Sequence, residues 1–106
     1  MKKGWVYKKD KLVGVIWEDE EGYSFLYDSA YLSNPIYNEV SKTLPLRKEV
    51  FTSTEMLPFF DGLIPEGWLL QIAVENWKLD PRNRMELLLA LCQDCIGDIA
   101  IFQNPK

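Results

Sequence analysis

The sequence contains no histidine at all. That absence removes every Ser-His or Cys-His nucleophile pair and every histidine metal site. Cysteine is nearly as scarce, with Cys92 and Cys95 the only two. They form a C-x-x-C, but a metal site would need two further ligands of that kind. A redox pair of this spacing follows a strand and opens a helix, where the helix dipole lowers a thiol pKa. Here the pair closes a helix, so one buried thiol and one loop thiol are expected. No phosphate-cradling loop is present, because the glycines at 4, 14, 22, 62, 67 and 97 are scattered. No apolar run approaches a membrane span. The opening MKKGWVYKKD has no apolar stretch behind it, so no signal peptide is expected. With two cysteines and no export signal, a reducing cytoplasm is the expected location.

Basic charge is also short. The formal net charge is −4 and the pI about 4.8, which argues against direct nucleic-acid binding through phosphates. Residues 1 to 54 are balanced, with eight basic and eight acidic side chains, so the whole excess lies in the second half. Lys2, Lys3, Lys8, Lys9 and Lys11 form a modest basic cluster, expected to serve solubility. The acidic stretch Glu18 to Glu21 reads as a solvated turn. Asp61, Glu66, Asp94 and Asp98 offer carboxylates, yet no spacing selects two of them as an acid/base pair. No cofactor, no metal and no enzymatic activity are expected.

What is present suits one globular domain. A chain of 106 residues, 47% hydrophobic, supports one core and is too short for two. Residues 5 to 7 and 12 to 17 read as strands joined by the polar turn KKDK. The apolar run LVGVIW predicts a strand buried on both faces. YSFLY, 23 to 27, is a third strand, and short links favour an antiparallel meander. Asp28 and Ser29 suit the cap of a short helical turn. Ser41 to Leu46 is expected as an edge strand or extended segment, because Pro45 cannot donate to a ladder. Thr54 is the expected cap of a turn ending at Gly62. Pro65 is expected to start a helix over 65–78, and Asp80-Pro81 to cap and start another reaching Cys92. Residues 96 to 102 read as a last strand. The expected fold is α+β: a small antiparallel sheet, a meander plus a C-terminal strand, packed with about three helices.

The helix over 65–78 has an unusual face. Only Gln71, Glu75 and Lys78 form a polar stripe, and apolar residues cover most of the remaining circumference. A surface helix usually shows a narrower apolar arc. Either this helix is covered on nearly all sides, or part of the arc is left for a partner. Phe59, Phe60 and Trp77 are expected in the core. Trp68, at the edge of the arc in the first turn, reads equally as core or as an interface anchor.

These residues carry a family likeness. Ser41, Leu44, Pro45 and Leu46 are followed by FFDGLIPEGW at 59 to 68. Leu88, Leu89, Asp94, Cys95, Gly97, Asp98, Ile99 and Ile101 then close the pattern. Together, over residues 1–106, they resemble the N-terminal subdomain of HipA-type serine/threonine kinase toxins. In such kinases the subdomain precedes the lobes that hold ATP, magnesium and the catalytic aspartate. This chain carries no signature of those lobes, so the kinase itself is not expected. It is similar to the HipS proteins of tripartite HipBST toxin–antitoxin systems. That resemblance implies an antitoxin that binds and neutralises a HipT-like kinase by docking near its active site. A HipB-like DNA-binding protein would be a further partner in a ternary complex. The alternative is a non-inhibitory accessory subunit of the same complex. The expected contact residues are Asp61, Gly62, Leu63, Ile64, Pro65, Glu66, Trp68 and Gln71. Trp68 is the anchor, and the two acids face basic groups of a phosphate-binding site.

Overall fold

Period-two alternation and polar turns build the sheet, and the helices supply the layer that closes its core. The computed structural model describes residues 2–93 and 98–105, with Trp68 by its backbone alone. The elements run β1 (Lys2–Lys8), β2 (Lys11–Asp19), β3 (Gly22–Tyr27), α1 (Ser29–Ser33), β4 (Phe51–Ser53), α2 (Pro58–Asp61), α3 (Gly67–Trp77), α4 (Arg84–Leu91) and β5 (Ile99–Phe102). They form an α+β fold whose sheet has the order β4-β3-β2-β1-β5. Every pairing is antiparallel, so the predicted meander and C-terminal strand are both present.

The inner face is apolar because alternate residues point inward. Val6, Ile16, Phe25 and Ile101 are all fully buried. A register shift between Val6 and Tyr7 is a bulge that brings both residues to buried positions. From the helical layer, Phe60, Met85, Leu87 and Leu88 complete the core. The helix α4 approaches β1 where a side chain is missing. A Cβ on Gly4 would stand 2.8 Å from an Ile101 methyl and 2.9 Å from a Leu89 methyl, so a larger residue would force these core side chains to shift.

Several expectations are corrected. LVGVIW is not buried on both faces. Val13 and Ile16 are buried, but Val15 and Trp17 are only half buried. Val15 pairs with Trp5 and Leu26 on the outer side, and Leu26 is 37% exposed. Residues 41 to 46 do not form the edge strand. They make a tight turn with a single Ser41–Leu44 bridge, and the edge is β4, where Phe51 pairs with Phe25. Phe51 brings a buried ring to that edge, which the proline-interrupted segment cannot do.

The helix starts also move. Thr54 does not cap α2: Pro58 opens it after Leu57, with no side-chain cap. Glu66 stays extended, at φ −121° and ψ 170°, so Pro65 is not the first residue of α3. The chain turns instead at Gly67, whose φ of 61° is left-handed and favours glycine. Asp80 caps a turn and not a helix, its carboxylate accepting from the Arg82 N–H at 2.9 Å. That bond, with the Arg82 charge behind it, holds the Asp80 carboxyl below the usual range. The cap of α4 is Asn83, which accepts from Glu86 N–H at 3.1 Å while its amide reaches the Glu86 carboxylate at 3.2 Å. The expectation for Asp28 matches the structure: its carboxylate accepts from Ala30 N–H at 3.2 Å. The predicted last strand begins, among the described residues, at Ile99, and positions 94–97 lie outside them.

A tyrosine stack fixes the segment after β3. The rings of Tyr27 and Tyr31 are 5.9 Å apart and nearly parallel, and those of Tyr31 and Tyr37 are 4.8 Å apart. The Tyr27 hydroxyl donates to the Leu44 carbonyl and accepts from Val40 N–H. Burial pushes Tyr27 and Tyr31 above the ordinary tyrosine pKa of 10.0. A folded pKa above the unfolded one means the native state holds its protons longer as pH rises. This contribution is complete below about pH 10 and is lost as pH climbs through the folded values. Ultraviolet titration should therefore show these two tyrosines ionising later in the folded than in the urea-unfolded protein. The urea midpoint should fall above about pH 10, and less steeply in Tyr27→Phe. Identical titration curves for folded and unfolded protein would contradict this.

Candidate protein-docking surface

The loop that follows α2 is fixed from behind. Phe60 is fully buried, with its ring 5.2 Å from Phe25 and 5.1 Å from Phe59. Gly62 N–H returns to the Pro58 carbonyl at 3.0 Å, Leu63 N–H to Phe60 at 3.0 Å and Ile64 N–H to Asp61 at 3.2 Å. These bonds continue the short helix as a compact turn. The Cys92 thiol donates to the Leu63 carbonyl at 3.4 Å, which gives this cysteine a structural use. Cys95 and Asp94 lie outside the described residues. Asp61 accepts from Arg84 Nε at 2.7 Å, tying the end of α2 to the start of α4. Both partners are partly exposed, so the pair is worth about 0–1 kcal/mol and chiefly sets geometry. The pair also acts on Tyr23. Burial and the neighbouring Glu18 carboxylate push that hydroxyl's pKa up, Arg84 opposes the rise, and Asp61 adds to it.

Beyond the loop, α3 carries no fully buried side chain among those described. Leu70 and Val74, one turn apart, pack against the core from its inner side. Lys78, at a left-handed φ of 54°, ends the helix with its N–H on the Val74 carbonyl. Gln71 donates to Glu75 at 3.2 Å along the predicted polar stripe. The other side of the helix is apolar and open: Leu69 is 52% exposed and Ile72 45%. They stand at i, i+3 spacing, and Trp68 lies one turn before Ile72 in the same helix.

The predicted contact residues therefore fall into groups. Gly62, Glu66 and Gln71 are exposed, and Leu63 and Pro65 are partly so. Ile64 is corrected: at 2% exposure it is a core residue that supports the loop and does not present itself. Asp61 is turned to Arg84, and Trp68 is placed by its backbone alone. Trp77 is corrected in the other direction, being 59% exposed and not core, because it sits in the last turn beyond the last core contact of α3. Leu69 and Ile72 were missed as individuals, although the wide apolar arc of α3 was their signal. Among the described residues no three His, Cys, Asp or Glu side chains gather where they could hold a metal. No described helix is long and apolar enough to cross a membrane.

Comparison with known proteins places this architecture. The family described as HipA N-terminal domain matches residues 5–102. An "Uncharacterized protein" of Haemophilus influenzae is 27% identical over 106 residues, covering 100% of this chain and 96% of that protein. A Sinorhizobium fredii protein, "Putative kinase Y4mE", is 31% identical over 102 residues. The match takes in 95% of this chain but only 24% of that longer protein. Among solved structures, the N-terminal domain of HipA toxin superposes with a TM-score of 0.68 at 24% identity, over 100% of this chain and 95% of that one. That likeness concerns the fold. With the family match reaching from within β1 to the end of β5, the chain belongs to the HipA N-terminal domain family.

Proposed function

We propose that this chain is an antitoxin that binds and neutralises a HipT-type serine/threonine kinase by docking near its active site. The observation that carries the reading is the open apolar side of α3, with Leu69 and Ile72 exposed beside a loop anchored in the core. Exposed apolar side chains gathered on one side of a helix mark interaction surfaces, and Trp68, next to them in the same helix, is of the residue type enriched among interface anchors. The relatives support it from a second side. A domain of this family forms about a quarter of a longer protein whose name says kinase. In the Haemophilus influenzae relative it is nearly the whole protein. A separate domain of this kind would meet the kinase as a partner in trans.

The contact surface is Gly62, Leu63, Pro65, Glu66, Trp68 and Gln71, extended by Leu69 and Ile72. Trp68 is the anchor, and the Glu66 carboxylate meets basic groups of a site built for phosphates. Asp61 shapes the loop through Arg84. The chain performs no chemistry itself, and a HipB-like DNA-binding protein completes a ternary complex in the cytoplasm. One observation favours a second reading: a domain fused to a kinase in one chain is compatible with an accessory role that does not inhibit.

Co-expression with a HipT-type kinase tests both. Rescue of growth together with co-elution as one complex is the expected result. Co-elution with persisting toxicity would favour the accessory subunit, and failure to bind would overturn both readings.

A further inference from the structure

The end of the sheet away from the acidic β2–β3 turn carries a different surface. There the β1–β2 hairpin faces the segment after α1 across a cleft of about 470 Å³. One wall is Lys8, Lys9, Asp10 and Lys11, and the other is Tyr31, Ile36, Tyr37 and Asn38. Both walls are held in place. Lys9 adopts a left-handed φ of 57°, and its N–H donates to the Asp98 carbonyl at 2.9 Å. Opposite, the Tyr31 hydroxyl donates to the Asn38 carbonyl at 2.6 Å, and its ring stacks on Tyr37. The Ile36 N–H donates to the Asn34 side-chain oxygen at 3.1 Å. This rigid loop holds Ile36 out at 76% exposure.

We propose that the cleft binds a short acidic peptide segment that carries one apolar side chain. The three lysines supply charge complementarity, offset within the wall only by Asp10. Ile36 and the Tyr37 ring supply an apolar shelf beside them. A nucleic acid fits less well. Three lysines neutralise few phosphates, the shelf is aliphatic at its most exposed point, and the chain as a whole repels a polyanion at net −4. This surface is separate from α3 and does not rest on the antitoxin reading. It gives the lysine cluster, expected from sequence to serve solubility, a recognition role.

The probe is the peptide acetyl-EDFED-amide, titrated into the full chain and followed by backbone amide NMR. Shifts confined to residues 8–11 and 36–38 are expected, weakening as salt is added. Lys9→Glu combined with Lys11→Glu should reduce affinity by about tenfold or more, and Ile36→Ser should reduce it at unchanged salt dependence. All three positions are exposed, so the fold is not at risk. The peptide acetyl-KKFKK-amide should not bind. Absence of shifts at millimolar peptide, shifts centred elsewhere, or equal binding by the charge-reversed variant would each overturn the proposal. So would a short DNA duplex that binds the cleft more tightly than the peptide.

Discussion

A Trp68→Ala protein is expected to lose roughly thirtyfold or more in affinity for the proposed kinase partner. The expectation comes from position. Residue 68 stands in the first turn of α3, directly after the left-handed Gly67 and one turn before the exposed Ile72. Large aromatics at the centre of an interface carry a disproportionate share of its energy, and less critical neighbours exclude water around them. Leu69 and Ile72 are placed to be those neighbours. Ile72→Asp should therefore weaken binding as well, because it puts an unpaired charge into the same contact. Ile72→Asp should not move the melting temperature far, since Ile72 is 45% exposed and the core contacts of α3 are made by Leu70 and Val74. Growth rescue and co-elution of the variant with the kinase are the measurements. A Trp68→Ala protein that neutralises as well as its parent would remove the anchor, and the binding face would have to be sought elsewhere.

The open side of α3 was legible from sequence as an excess of apolar residues, though not residue by residue, because it broke a pattern. Amphipathic period alone puts Met85, Leu88 and Cys92 on one stripe, and all three are buried. On α3 the apolar arc exceeds what one core-facing stripe needs, and the surplus is what the fold leaves exposed. The three-strand meander was legible for a similar reason. The KKDK and EDEEG turns separate runs rich in β-formers, and local chemistry agreed with the final structure there.

The failures have local causes too. Pro65 and Pro81 each look like a first helical residue, but proline fixes only its own φ. The neighbouring backbone decides where each helix starts: an extended Glu66 and a left-handed Gly67 in one case, and a locally satisfied Asp80 turn in the other. Trp77 is apolar and large, yet the helix carries it past the edge of the core, which period cannot reveal. The half-exposed Val15 and Trp17 show the same limit: a continuous apolar run does not say whether one face of a sheet or two will be covered. The Asp61–Arg84 pair joins residues 23 positions apart, a distance no local rule spans.

Phe60→Ala is expected to cost about 3–5 kcal/mol of folding stability, the range for a large aromatic removed from a core. Phe60 is fully buried and makes ring contacts with Phe25 on β3 and Phe59 beside it. It thus joins the helical layer to the sheet at the point from which the 61–66 loop departs. Truncation leaves a cavity that the turn cannot close, because its backbone is pinned by successive hydrogen bonds from Gly62, Leu63 and Ile64. Native domains are stable by only about 5–15 kcal/mol in total, so this single change removes much of the margin. Urea denaturation monitored by tryptophan fluorescence measures it, with Phe60→Leu expected to lose less because it retains most of the volume. The effect on neutralisation should track the unfolded fraction and recover on cooling toward the temperature of maximum stability. Trp68→Ala, by contrast, should stay deficient at every temperature. A loss below about 1 kcal/mol in Phe60→Ala would mean that the loop is not held from behind by this ring. The presentation of residues 62–68 would then need another support.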